Sequence, residues 1–301
     1  MPLWIAISAS AALFQCWRTA LQQKLRGQMS VNAAGVVRYL YGVPVGLVLL
    51  GLYLAVIGGS LSAPTPAFLA YCVGGGLGQI VGTNLLIMAF GYRGFAVGTA
   101  YAKTEAVQGA VLALLLLGEH ISGLAWFGIF VCVCGTLYLS LGGKKLGIGE
   151  ILKATAQPAA LCGLSAGFAF ALTSVWIKAA NQSLGGPDAI LQALETLVVI
   201  NAMQTAMQGA YLMIREPAQV KIVFSSWRTS AQVGALSACG SACWFSAFAL
   251  APVAMVRAVG QVEILFTLLF SRFFLRERPS RAEIIGALTV VAGVVIVLIG
   301  R

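Results

Sequence analysis

The sequence predicts an all-α membrane protein in which ten transmembrane helices form two inverted five-helix repeats around a central cavity. Three observations lead to this fold class. The composition suits a chain that faces lipid, ten apolar segments are each long enough to cross a bilayer, and the two halves of the sequence resemble each other.

The composition excludes an ordinary soluble protein. Of the 301 residues, 59% are hydrophobic and only 9% are charged, whereas soluble domains carry roughly 25% charged residues. The net charge of +10 would suggest nucleic acid as a partner in a soluble protein. Here the basic residues lie mostly at the ends of apolar segments, where they orient a protein in its membrane, so we expect no binding of nucleic acid.

The apolar segments have the length of transmembrane helices, which need about 20 predominantly apolar residues. Short connections containing Gly and Pro separate them. The ten segments cover residues 3–22, 34–57, 67–90, 95–117, 121–141, 157–181, 188–214, 229–250, 253–275 and 281–300.

An internal repeat relates the two halves of the chain. When the sequence is displaced by 158 residues, Glu105 falls on Glu263 and Glu119 falls on Glu277. Three pairs of glycines coincide as well: Gly82 with Gly240, Gly128 with Gly286, and Gly135 with Gly293. Because each copy holds five segments, an odd number, the second copy enters the membrane from the opposite side.

The repeat divides the chain into a first copy over residues 1–143, a linker over 144–156 and a second copy over 157–301. Lysines and arginines concentrate in the connections on one face of the predicted bundle. They are Lys24, Arg26, Arg93, Lys144, Lys145, Lys153, Arg215, Lys221, Arg228, Arg276, Arg278 and Arg281. The positive-inside rule places this face in the cytoplasm and both termini outside.

Residues 244–298 combine an Ala-Pro break, an acidic residue near the middle of a helix, the hairpin sequence LRERPS and a Gly-rich apolar helix. Residues 90–141 repeat the pattern with AKTEAVQG and LLGEHIS. These features resemble the EamA family of the drug/metabolite transporter superfamily, and the resemblance extends over essentially the whole chain.

The resemblance implies ten helices in two inverted halves, with access to a central cavity that alternates between the two sides of the membrane. It implies a small-molecule solute without identifying it, since relatives handle amino acids, metabolites, drugs or nucleotide-sugars. Many bacterial relatives are thought to keep both termini inside, in contrast to the charge distribution here, so the orientation and the direction of transport stay open.

Charged side chains inside apolar segments are candidates for the site, because each costs about 2.5–3.5 kcal/mol on insertion scales and is usually retained for a partner or a cavity. Thr99 and Lys103 share one face of the fourth helix, and Arg257 and Gln261 occupy the corresponding face of the ninth. We expect these four residues to bind the solute.

The alternative is that Lys103 and Arg257 form internal salt bridges with Glu105 and Glu263. These two glutamates, together with Glu195, are also candidates for proton coupling, because an apolar surrounding disfavours the charged form of a carboxylate. A structural role for the glutamates is the competing interpretation.

Further candidates for binding the solute lie on the first, second and sixth helices. They are Trp17, Arg18, Arg38, Trp176 and Lys178. Arg18 and Lys178 lie nearer a helix end, so their alternative is to extend to the membrane interface. The tryptophans fit a cavity wall or an interfacial aromatic belt equally well.

The membrane-embedded cations outnumber the glutamates, which favours a solute that bears a carboxylate, such as an amino acid or an organic acid. We expect a monomeric secondary active transporter in the cell's inner membrane, without cofactor or metal, in contact with the solute, the lipid bilayer and coupling protons.

The chain has a single histidine, His120, and no phosphate-binding loop, so an enzyme is disfavoured. A passive channel or a non-transporting assembly subunit is the main alternative, and a membrane-embedded enzyme a weaker one.

Overall fold

The computed structural model describes residues 2–89, 101–140, 157–270 and 280–300. Within these ranges the regular secondary structure is entirely helical. In the first half of the chain the helices are α1 (Leu3–Arg26), α2 (Val31–Leu40), α3 (Gly42–Val56), α4 (Pro66–Ala89), α5 (Glu105–Leu117) and α6 (Gly123–Ser140). In the second half they are α7 (Pro158–Ser183), α8 (Ala189–Arg215), α9 (Pro217–Ser225), α10 (Trp227–Leu250), α11 (Val253–Gly260), α12 (Glu263–Phe270) and α13 (Arg281–Ile299).

Six helical stretches among the described residues are long and apolar enough to cross a membrane. They are Val31–Val56, Pro66–Ala89, Pro158–Ser183, Ala189–Arg215, Trp227–Leu250 and Arg281–Ile299. Large apolar side chains on the helix surfaces are exposed, such as Val56 at 77% and Leu115 at 72%, which requires a lipid surrounding. The chain is therefore a multi-pass membrane protein, and the arrangement of ten helices as an inverted repeat stays a prediction.

The described residues form two compact units, and each unit draws on both halves of the sequence. The first consists of Met1–Ile80 and Thr173–Ala251, and the second of Val81–Leu172 and Pro252–Arg301. The core of the first unit is an apolar cluster contributed by α2, α8, α9, α10 and the end of α1. Its members are Leu25, Met29, Ala33, Ala34, Val36, Val37, Leu212, Val223 and Val233.

In the second unit, α6 and α13 pack with their backbones in close contact at glycines. A Cβ atom added to Gly293 would lie 2.8 Å from the carbonyl oxygen of Gly128. A Cβ atom added to Gly135 would lie 3.0 Å from the carbonyl oxygen of Gly286. The displacement by 158 residues converts each of these contacts into the other, because Gly128 corresponds to Gly286 and Gly135 to Gly293. The two helices run antiparallel, since the earlier glycine of α6 meets the later glycine of α13. This close glycine packing supports the predicted inverted repeat.

The fourth and ninth spans, expected as single helices over residues 95–117 and 253–275, are both interrupted. A turn at residues 103–104 precedes α5, and a turn at residues 261–262 separates α11 from α12. The two turns correspond under the 158-residue displacement. Each following helix begins at a glutamate, Glu105 or Glu263, where a negative charge is favoured by the helix dipole.

The backbone passes through both turns with hydrogen bonds that are one residue shorter than those of an α-helix. The amide of Thr104 donates to the carbonyl of Tyr101 at 3.2 Å, and that of Gln261 to Ala258 at 3.1 Å. Such bonds satisfy terminal helix groups. The turn at residues 103–104 contains no proline or glycine, so the hydrophobic pattern did not reveal this interruption.

The glycine contact between α6 and α13 gives a test of the packing. We expect Gly293→Ala to destabilise the protein by about 1–3 kcal/mol, because the added methyl group meets fixed backbone atoms. Gly209 on α8 meets no atom within 4 Å, so Gly209→Ala is expected to be neutral or stabilising. Thermal unfolding of the two variants in detergent measures the difference, and equal melting temperatures would contradict the close packing.

Candidate functional site

Two ion pairs join the two helix breaks of the second unit. The Nζ atom of Lys103 lies 2.5 Å from Oε2 of Glu263. The Nη1 atom of Arg257 lies 3.2 Å from Oε1 of Glu105. Each cation thus pairs with the glutamate from the opposite half of the sequence, and the salt bridges considered as an alternative from the sequence are present.

The two pairs differ in burial. The side chains of Lys103 and Glu263 keep 18% and 12% of their surface exposed, against 9% and 11% for Arg257 and Glu105. Removal from water strengthens a charge–charge attraction and makes it costly to break, so loss of one partner is expected to cost most at the more buried Arg257–Glu105 pair. The Lys103–Glu263 pair is the more accessible.

Uncharged polar groups complete this cluster. The side-chain amide of Gln261 donates to the carbonyl oxygen of Lys103 at 3.5 Å, and its Oε1 accepts a hydrogen bond from Thr136 at 3.3 Å. The Nη2 group of Arg257 donates to the carbonyl oxygen of Phe170 at 3.2 Å. The side chain at one break therefore binds the backbone of the other.

The ends of the broken helices favour this distribution of charge. Arg257 lies in the last turn of α11, and Glu105 lies in the first turn of α5. The helix dipole favours a cation at the C-terminal end and an anion at the N-terminal end. Interrupted helices of this kind commonly form the solute and ion sites of secondary transporters.

Among the candidate residues, the structure brings Lys103, Glu105, Arg257, Gln261 and Glu263 together. Thr99, the remaining member of the expected four-residue set, lies outside the described residues. The other candidates belong to the first unit.

Two further cations are buried in the first unit. Arg38 on α2 is 5% exposed, and its Nε donates to Oγ of Ser237 at 3.1 Å. Its guanidinium carbon also lies 5.4 Å from the centroid of the Tyr39 ring. Lys178 on α7 is 8% exposed and donates to the carbonyl oxygen of Ala251 at 2.8 Å.

The aromatic candidates Trp17 and Trp176 have different surroundings, although a displacement of 159 residues near the start of the two copies places one on the other. Trp17 on α1 is 48% exposed. Trp176 on α7 packs against Gly74, where an added Cβ atom would lie 2.9 Å from the indole ring. Arg18, the neighbour of Trp17, donates to the hydroxyl of Thr19 at 3.4 Å.

Glu195 on α8 is buried in the first unit, and its Oε1 accepts a hydrogen bond from the backbone amide of Ser62 at 2.9 Å. Sequence reasoning missed two hydroxyl partners, Thr136 and Ser237, because a single hydroxyl in an apolar helix gives no signal. Within the described residues no group of three His, Cys, Asp or Glu side chains is placed to hold a metal ion.

Comparison with known proteins gives one family and a shared fold. The model of the EamA-like transporter family, part of the drug/metabolite transporter superfamily, matches residues 157–299. A crystal structure of a protein superposes with a TM-score of 0.72 at 18% sequence identity, over 99% of this chain and 97% of that one. At this identity the likeness concerns the fold alone. No curated protein matches the chain.

The buried ion pair is open to a double-mutant cycle. We expect Arg257→Gln alone to destabilise the protein by about 3–5 kcal/mol, because Glu105 is left as a buried charge without its counter-ion. The double variant Arg257→Gln with Glu105→Gln should cost less than the sum of the two single changes. Unfolding by denaturing detergent in mixed micelles measures these free energies, and strictly additive costs would refute the coupling.

Proposed function

We propose that this chain, whose residues 157–299 match the model of the EamA-like transporter family, is a secondary active transporter that works by alternating access. Its solute is a small polar metabolite bearing a carboxylate, such as an amino acid or an organic acid, carried across the cell's inner membrane. The observation that carries this proposal is the cluster of Lys103, Glu105, Arg257 and Glu263 at two corresponding helix breaks.

The position of the cluster supports a binding role. Helix interruptions at corresponding points of two repeats are the best structural pointer to the solute site of a secondary transporter. The breaks at residues 103–104 and 261–262 correspond under the repeat and are joined by the Gln261 amide. The proposed cavity lies between the two sequence repeats at this level.

The chemistry of the cluster fits a carboxylate. Arg257 presents a planar guanidinium, which binds carboxylates with two parallel hydrogen bonds, and Lys103 presents an ammonium group. A solute carboxylate can bind beside Lys103 or Arg257 while Glu263 and Glu105 keep their ion pairs, because an ammonium group has three N–H donors and a guanidinium has five. The ion pairs are therefore compatible with binding of a carboxylate at the same cations.

The remaining candidates have supporting roles in this proposal. Arg38 and Lys178 add positive charge in the first unit, and we propose that Arg18, Trp17 and Trp176 of that unit also contact the solute. Thr99, which lies outside the described residues, stays a proposed solute ligand. We assign proton coupling to the membrane-embedded glutamates and propose that a single chain is sufficient, since it contains both repeats.

A counterflow experiment distinguishes a carrier from a channel. Purified protein is first screened for thermal stabilisation by amino acids and organic acids, and the best of these is loaded into proteoliposomes. We expect external labelled solute to accumulate transiently above its equilibrium level, because a carrier exchanges it against the internal pool. Uptake that only approaches equilibrium and does not saturate would favour the channel.

Removing one ion pair as a unit tests the site without leaving a buried charge uncompensated. We expect the double variant Lys103→Gln with Glu263→Gln to remain folded and to lose about tenfold or more in counterflow, the effect of one lost charge-assisted hydrogen bond. Lys221→Gln on the exposed face of α9 is the matched control and should transport normally. Unchanged transport by this variant and by Arg257→Gln with Glu105→Gln would exclude the cluster as the solute site.

A further inference from the structure

The two oxygens of the Glu195 carboxyl group have different surroundings. Oε1 accepts a hydrogen bond from the Ser62 amide at 2.9 Å. Oε2 is buried, and within the described residues it meets no hydrogen-bond donor. The whole residue is 7% exposed. A buried carboxylate oxygen without a donor is costly in an apolar surrounding, so this arrangement needs a functional or a structural explanation.

The other two membrane-embedded glutamates are placed differently. Glu263 lies 2.5 Å from Lys103, and Glu105 lies 3.2 Å from Arg257. A proton added to either glutamate would cancel the charge that its cation needs and leave that cation buried without a counter-ion. A proton added to Glu195 removes no ion pair among the described residues.

We propose that Glu195 is the residue that binds the coupling proton of this transporter. This inference rests on the proposed transport function and assigns to one residue the role that the sequence left among three. The proton attaches to Oε2, and Glu105 and Glu263 keep their pairing with cations and serve the solute.

Other titratable and charged groups of the first unit have partners of their own or are buried thiols. The hydroxyl of Tyr53 donates to the carboxylate of Asp188 at 2.9 Å. Arg38 donates to Ser237, and Lys178 donates to the Ala251 carbonyl. The thiol of Cys72 on α4 is buried. In the described part of the chain none of these groups forms a hydrogen bond or an ion pair with Glu195.

Glu195 binds the connection between α3 and α4 through the backbone amide of Ser62. Asp188, Leu191 and Glu195 are spaced by three and four residues, so they share one face of the beginning of α8. This face of α8 contacts the end of α3 and the connection between α3 and α4. Asp188 accepts from Tyr53, Leu191 packs against Gly59, and Glu195 accepts from Ser62.

Gain of a proton changes the strength of this attachment. An amide hydrogen bond to an ionised carboxylate is about twice as strong as one to a neutral acceptor. Protonation of Glu195 therefore loosens the connection at residues 57–65 from α8, and loss of the proton tightens it. Glu195 lies about 9 Å along the axis from the first residue of α8, at a rise of about 1.5 Å per residue.

The variant Glu195→Gln separates a proton-binding role from a structural one, because the amide oxygen can still accept from Ser62. Proteoliposomes contain the pH-sensitive dye pyranine and are tested with the labelled amino acid or organic acid that gives counterflow with the unmodified protein. We expect Glu195→Gln to retain counterflow, which needs no net proton movement. It should lose both accumulation driven by a pH gradient and the pyranine signal that accompanies solute movement.

The matched control is Asp188→Asn, a neighbouring carboxylate that caps α8, and it should retain coupling. Glu195→Asp keeps an exchangeable proton, so it should retain gradient-driven accumulation. This variant decides the matter if the Gln variant does not reconstitute.

Gradient-driven accumulation by Glu195→Gln, or its loss of counterflow while folded, overturns the assignment. Absence of coupling in unmodified protein that shows counterflow overturns it too, while leaving the transporter proposal intact. Absence of counterflow in unmodified protein overturns both.

Discussion

Charge in a medium without water is the constraint on which the rest of this structure depends. A chain that places lysines, arginines and glutamates inside apolar helices has to neutralise them internally, because lipid cannot solvate them. The protein does this with cations that pair with carboxylates from the other half of the sequence. The pairing requires broken helices, since only helix ends place carboxylates and cations where the backbone dipoles favour both.

The same constraint links stability and transport. Glu105 and Glu263 compensate the charges of Arg257 and Lys103 inside the protein, so these cations are not buried without a counter-ion. Glu195 stands apart from these ion pairs, because its carboxyl group contacts the backbone of a connection instead of a cation.

The sequence predicted long apolar helices better than it predicted their interruptions or the short helix α9, which lies outside the ten expected segments. The last span was expected over residues 281–300 and is observed as Arg281–Ile299, because twenty apolar residues leave little freedom. The break at residues 103–104 has no proline or glycine, and it depends on contacts with α11 that sequence pattern does not record. Likewise, Lys103 and Glu105 are two residues apart and would face different sides of an unbroken helix, a pattern that does not identify the partner of either.

The close packing of α6 against α13 bears on how the two halves of the sequence can differ in their side chains. Cys132 and Val290 are corresponding positions that meet there, the thiol donating to the carbonyl at 3.6 Å. Such a contact is isologous, as in a two-fold dimer of identical subunits, where every substitution appears on both sides at once. A single polypeptide that carries both sides is released from this rule. Lysine can therefore oppose glutamine at residues 103 and 261, and the chain can hold an unsymmetrical charge pattern within a symmetrical frame.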